Sequence, residues 1–195
     1  MNTDIQELIL ILSQEVEEAG RPSSPDLVES LMFHLDPVDC MQIALSYVQD
    51  YYPRFHERYP TITWPSEYLE QLERIVESRQ LEWHGPVSVR DRVHPSDDYE
   101  TPGAGNFIEA VLDLVRMVKT VIDRKLAFWA VSAIARIFMA NKESLVEEKY
   151  PGVWHVERIS DTPGRFGEIC RADPEIRELG KRQWRGLLDK CRDLN

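Results

Sequence analysis

Residues 106–149 read NFIEAVLDLVRMVKTVIDRKLAFWAVSAIARIFMANKESLVEEK and form the most strongly apolar part of the chain. Their apolar side chains recur at steps of three and four, which predicts amphipathic helices. The first apolar stripe comprises Ile108, Val111, Leu112, Val115, Val118 and Ile122, and the second comprises Phe128, Trp129, Val131, Ile134, Ile137 and Phe138. The polar triplet 123–125 lies between the stripes, so we expect two helices, or one bent helix, at the centre of the fold.

The same helical periodicity continues on both sides of this centre. Ile5, Leu8, Ile9, Leu12 and Val16 line one face of a first helix. Polar capping residues or prolines mark the expected starts of the other flanking helices, because such residues satisfy or avoid the free N–H groups of a first turn. These starts are Ser24, Asp36, Pro65 and Asp173. Strands do not alternate with helices in this pattern, so a parallel sheet is not expected.

Two stretches interrupt the helical pattern. Residues 51–60 are rich in tyrosine and proline and are expected to break the third helix. Residues 83–103 contain three prolines, two glycines and two histidines, and are expected to form one long loop. We therefore predict an all-α fold, a compact bundle of six to eight helices in a single domain over residues 1–195. The segment 83–103 is the one place where a weak domain boundary would fit.

Charge is distributed unevenly along the chain, whose net charge is −11. Residues 1–110 hold 21 acidic and 7 basic side chains, whereas the remaining residues are nearly balanced. Such an excess of carboxylates disfavours nucleic acid and anionic membranes, because both bind through lysine and arginine. A basic protein partner, in contrast, would be attracted to the acidic half.

Five carboxylates near the N-terminus are the candidates for an acidic partner-binding surface, and they are Glu15, Glu17, Glu18, Asp36 and Asp39. Three of them crowd the last turn of the first helix, where the helix dipole makes anions slightly unfavourable. Their charge would serve a basic partner, or it would be neutralised within the fold by arginines of the last helix.

The final helix is expected to carry a basic ridge. Arg177, Lys181 and Arg185 follow one another at steps of four, which places them on one side of a helix. The ridge would be solvated, dock onto the acidic half of the chain, or bind phosphate. It is the only part of the chain through which nucleic acid binding is expected.

Catalytic motifs are not evident. The five histidines lie more than four residues apart, and no zinc-protease or di-iron spacing occurs. The best remaining cluster, on the long loop, comprises His84, His94, Asp97 and Asp98. Three cysteines lack the spacing of a metal site, which favours reduced thiols in a cytoplasmic protein. We expect no catalytic residue, metal, cofactor or membrane segment.

Three interpretations of the function remain. The first is a non-enzymatic interaction module whose acidic helical face binds, and inhibits, a basic protein, as immunity proteins and antitoxins do. The second is a helical subunit of a larger assembly, such as a nucleoprotein, which uses the basic C-terminal helix while the acidic half contacts sister subunits. The third is an enzyme with an unmarked pocket of histidines and carboxylates. Polarised charge and the lack of catalytic spacing favour the first.

Overall fold

A computed structural model describes residues 3–83, 101–119, 123–153 and 164–194, and these ranges form eight α-helices and no strand. The all-α prediction is therefore confirmed, and the predicted loop lies outside the described residues except at its two ends. The helices are α1 (Thr3–Ala19), α2 (Pro25–Phe33), α3 (Pro37–Arg58), α4 (Trp64–Ser78), α5 (Ala104–Lys119), α6 (Asp123–Lys149), α7 (Arg165–Ala172) and α8 (Pro174–Asp193).

Helices α5 and α6 form the centre of the bundle, as the apolar stripes predicted. They pack against each other, α3 packs across both, α2 lies on α6, and α4 lies against α3 and α5. Phe107, Leu114 and Ile134 are completely buried at this centre. Phe128 was wrongly placed in the inward stripe, since it is 43% exposed.

Helix α3 runs through the tyrosine and proline stretch that was expected to break it. Pro53 lies inside the helix, where a proline removes one backbone hydrogen bond and costs about 3 kcal/mol. Tyr51 and Phe55 are buried on either side of it, and their rings lie 5.6 and 4.6 Å from that of Phe107. This aromatic packing holds the last turns of α3 against α5 and outweighs the local preference of the sequence.

Three of the predicted helix starts are capped as expected. The side chain of Ser24 accepts a hydrogen bond from the Asp26 amide, and that of Asp36 accepts one from the Val38 amide. Asp173 accepts two, from Glu175 and Ile176. Helix α7 was not predicted, because its eight residues are too few to show a clear apolar period.

Helices α1 and α8 pack in opposite directions and close the bundle. Glu17 contacts Arg185, whereas Gly20, the residue that follows α1, lies against Gly180, more than one turn earlier in α8. A Cβ atom on Gly180 would lie 3.2 Å from the carbonyl oxygen of Gly20. Glycine at position 180 therefore permits a close approach of the two backbones.

Candidate functional site

The carboxylates of α1 make hydrogen bonds within the chain. Glu15 accepts bonds from the backbone amide and the hydroxyl of Ser23, at 2.9 and 2.6 Å. The hydroxyl bond, and then the amide bond, lower the pKa of Glu15. Glu18 accepts a bond from the amide group of Gln14 at 2.9 Å and is exposed. Two of the three predicted α1 residues thus have uncharged hydrogen-bond partners.

The third carboxylate, Glu17, joins the predicted acidic surface to the predicted basic ridge. Both of its oxygens accept hydrogen bonds from the guanidinium group of Arg185, and Lys181 Nζ lies 3.9 Å from Oε2. The bond with Arg185 lowers the pKa of Glu17. Arg177, the third member of the ridge, has no ion pair in the described ranges. Two of the three ridge cations are therefore engaged by an internal carboxylate.

Asp36 and Asp39, at the start of α3, share one arginine. Arg79 donates to a carboxylate oxygen of each, at 2.9 Å in both cases. Hydrogen bonding to Asp39 raises the pKa of Arg79. Arg79 caps the C-terminal end of α4 with a left-handed backbone, φ 52°, so this pair of bonds ties the start of α3 to the end of α4. The part played by these two aspartates, and by the three glutamates of α1, in binding a partner stays a prediction.

A different acidic face lies on α4. Four exposed glutamates follow one another at steps of three and four, namely Glu67, Glu70, Glu73 and Glu77. We call these four residues the α4 face, and it extends over about 15 Å of helix. The only basic side chain among them is Arg74, whose guanidinium lies 3.7 Å from Glu70 with both groups well exposed. Glu73 also accepts a hydrogen bond from Gln49 of α3.

The α4 face was missed in the sequence, although a signal was present. The buried residues Tyr68, Leu69, Leu72 and Ile75 define the inward side of this helix. The four glutamates recur along α4 at the same steps of three and four, at exposed positions between these buried residues. The prediction from the sequence placed the acidic surface at the crowded glutamates of α1. The evenly spaced glutamates of α4 form the more extended acidic surface.

A buried ionic cluster links the two central helices. Asp113 of α5 is completely buried and accepts hydrogen bonds from Ser132 Oγ at 2.6 Å and Arg136 Nε at 2.8 Å. Arg116 also donates to Asp113, and its guanidinium lies 5.4 Å from the ring centre of Trp129. All of these partners are on α5 or α6, so the cluster fixes how the two helices meet.

A cleft of about 530 Å³ lies between α3, the start of α5 and the end of α6. Tyr51 Oη lies 3.1 Å from Ser144 Oγ at its wall, and burial raises the pKa of Tyr51. On the other wall Glu147 accepts the amide of Gly152, while its second oxygen is buried without a hydrogen bond. The described lining contains no histidine, and its charged side chains are Arg54, Glu57, Arg58, Glu147 and Glu148.

The histidine and aspartate cluster expected on the long loop lies outside the described residues. Among the residues that are described, no helix combines the length and apolar character needed to cross a membrane. Comparison of the chain with protein-family models, with curated proteins and with solved structures finds no match. A function for this chain is therefore argued from its own geometry and charge.

Proposed function

We propose that this chain is a non-enzymatic interaction module that binds a basic protein through its acidic α4 face, in the manner of immunity proteins and antitoxins. One observation carries the proposal. The four glutamates of the α4 face are exposed, and the only basic side chain among them, Arg74, is itself exposed. The face is therefore anionic toward the outside.

The contrast with the other acidic residues supports this choice. Glu17, Asp36 and Asp39 are each held by an arginine from a distant helix, so their charge is largely used within the fold. Each pair of like charges three or four residues apart destabilises a helix by a few tenths of a kcal/mol. Within the α4 face, Arg74 pairs with Glu70 and Gln49 donates a hydrogen bond to Glu73. Both contacts leave these glutamates exposed, as a surface that binds an external cation requires.

A basic partner also fits the character of the whole molecule. The net charge of −11 produces a negative field that accelerates encounters with cationic proteins and repels anionic ones. Such steering decreases as ionic strength rises, because salt screens charges over roughly 8–10 Å. The association rate of the complex is therefore expected to fall with added salt, while the dissociation rate changes less.

The test combines capture with reconstitution. The chain is immobilised at low salt and exposed to a lysate of its native host, and the captured protein is then purified and its association rate measured directly. The test variant carries Glu67→Gln, Glu70→Gln, Glu73→Gln and Glu77→Gln, which removes the charge and keeps good helix formers. We expect this variant to lose capture and to associate at least about tenfold more slowly.

The matched control removes the same charge elsewhere, through Glu7→Gln, Glu148→Gln, Asp189→Asn and Asp193→Asn, all at exposed positions. We expect the control to capture the same protein with a reduction of less than about threefold, since only long-range steering is weakened. If the α4 variant and the control behave alike, or if no purified protein binds the wild-type chain, the proposal is wrong.

A further inference from the structure

A second charged feature, of the opposite sign, lies at the junction of α1, α6, α7 and α8. It is a cavity of about 550 Å³, which is within the usual size range of small-molecule sites. Among the described residues that line it, four side chains are basic and none is acidic; the four are Arg21, Lys142, Arg171 and Arg177. We call this space the cationic cavity.

None of these four side chains has a carboxylate partner in the described part of the structure. Elsewhere in the described ranges, Arg79, Lys149 and Arg185 each contact two carboxylates. The chain holds 34 acidic residues against 23 lysines and arginines, so acidic partners are in excess. The four basic side chains of the cationic cavity have no such partner among the described residues. Ion pairing within the fold therefore does not explain why they lie together.

Lys142 is the most enclosed of the four. It is half-buried on α6 and lies over Gly180 of α8, where an added Cβ atom would come within 3.3 Å of its Cε and 3.4 Å of its Nζ. Burial lowers the pKa of this lysine; the nearby thiol of Cys170 opposes the effect, and the charge of Arg21 adds to it. An unpaired ammonium group in such a place destabilises the empty protein. An anion in the cavity would remove that cost.

The rest of the lining is apolar. Ala19, Met139, Phe166 and Ile176 contribute hydrocarbon, aromatic and thioether surface to the same cavity. A site of this kind, in which a few charged groups converge beside an apolar wall, suits a ligand with an anionic end and an apolar body. Three of the four cations are arginines, whose planar guanidinium groups match the oxygens of a phosphate in pairs.

We infer that the cationic cavity binds a small phosphorylated molecule, with its phosphate group held by Lys142, Arg171 and Arg177 and its apolar part against Phe166 and Met139. This inference is independent of the proposed partner and of the α4 face. It assigns Arg177 a role separate from that of Lys181 and Arg185, which contact Glu17.

Calorimetric titration at low salt tests the inference with four defined probes, which are phenyl phosphate, inorganic phosphate, pyrophosphate and citrate. We expect saturable one-to-one binding of phenyl phosphate and pyrophosphate, with phenyl phosphate several-fold tighter than inorganic phosphate because its ring occupies the apolar wall. Tighter binding of citrate than of either phosphorylated probe would contradict the assignment of phosphate. No saturable binding of any probe would overturn the site altogether.

Two variants locate the binding. Arg177→Gln and Lys142→Met should each weaken the binding of phenyl phosphate by about tenfold or more, as expected for the loss of a charge-assisted hydrogen bond. Lys142→Met should in addition raise the melting temperature of the empty protein, since it removes an unpaired, half-buried charge. Arg182→Gln is the matched control, because Arg182 is an exposed arginine of the same helix that does not line the cavity.

The control should change the affinity by less than about twofold. Equal weakening by Arg177→Gln and Arg182→Gln would show diffuse attraction to a basic helix and would overturn the inference. Cys170 provides a second readout, since its thiol lines the cavity. At a phenyl phosphate concentration about tenfold above the wild-type Kd, alkylation of Cys170 by iodoacetamide should slow at least about fivefold in the wild-type chain and only about twofold in Arg177→Gln. An unchanged rate in the wild-type chain would also count against the site.

Discussion

Arg185 donates hydrogen bonds to both carboxylate oxygens of Glu17, which lies 168 positions earlier in the chain. We expect Glu17→Arg and Arg185→Glu each to lower the free energy of unfolding, and the double swap to restore most of the loss. Because the pKa of Glu17 is lowered in the folded state, its contribution is present above the ordinary pKa and is lost as the pH falls below it. Urea unfolding of the four proteins at pH 7 and pH 3 measures both effects; a double swap no better than the worse single variant would contradict the pairing.

The carboxylate of Asp173, at the start of α8, should also make the stability of the protein depend on pH. Its Oδ2 accepts bonds from Lys149 Nζ and Tyr150 Oη, both at 2.7 Å, while Oδ1 caps the helix. The bond with Lys149, followed by that with Tyr150, lowers the pKa of Asp173 strongly. Its contribution is therefore complete above pH 4 and disappears in strong acid. We expect Asp173→Asn to destabilise the protein at pH 7 and to flatten its stability between pH 4 and pH 2, as followed by circular dichroism, whereas a parallel pH profile would contradict this assignment.

Asp113 is expected to be among the most sensitive polar positions in the bundle. Asp113→Asn leaves Arg116 and Arg136 without their shared carboxylate between α5 and α6. Removing one partner of a buried ionic cluster costs several kcal/mol, and partial exposure of both arginines reduces this to about 2–3 kcal/mol. Glu109→Gln is the control, since Glu109 lies 3.3 Å from Arg116 but is 43% exposed, and should cost less than about 1 kcal/mol. Denaturant unfolding distinguishes the two, and equal losses would contradict a central role for Asp113.

Two glycines near the start of α5 should respond in opposite directions to alanine. Gly103 has a φ of +86°, and an added Cβ atom would meet the hydroxyl of Tyr51 and lie 2.7 Å from the carbonyl oxygen of Ala140. Gly105 has no atom within 4 Å of the same position. We expect Gly103→Ala to lower the free energy of unfolding by roughly 2–3 kcal/mol. We expect Gly105→Ala to raise it by about 0.5 kcal/mol. Thermal melts of both variants check the sign of each change; destabilisation by Gly105→Ala would contradict the open space described there.

The three cysteines should differ in reactivity. Burial raises the pKa of both Cys40 and Cys191 to about 12, and the two lie on either side of Met32. Cys170 is partly accessible at the cationic cavity. At pH 8 iodoacetamide should modify Cys170 at least about tenfold faster than the other two, as measured by peptide mass spectrometry. Rapid labelling of all three in the folded protein would be inconsistent with this packing.

Much of the helical architecture could be predicted from local signals. Most of the periodic apolar residues of α5 and α6, and the caps at Asp36 and Asp173, depend only on neighbouring positions and were confirmed. Pro53 was misjudged because its local effect is opposed by aromatic contacts with Phe107, which is more than fifty residues away. Short-range interactions therefore determine where these helices start, and tertiary packing determines how far α3 continues.

The charged surfaces were less predictable, because their behaviour depends on which helices become neighbours. The sequence shows that carboxylates are concentrated in one half, but not that Glu17 meets Arg185. The cationic cavity draws one basic residue from each of α6, α7 and α8 and a fourth from just beyond α1. Its only local signal is Lys142, a charge that directly follows the apolar run of α6.

The antiparallel contact between α1 and α8 has a consequence for synthesis in the cell. Among the described helices, α1 is the first to leave the ribosome and α8, against which it packs, is the last. Until then α1 has only α2 as a major neighbour, and its apolar side stays open to chaperones or to other nascent chains. Final closure of this bundle is therefore expected after translation of α8, at a rate limited by the search of two distant segments for each other.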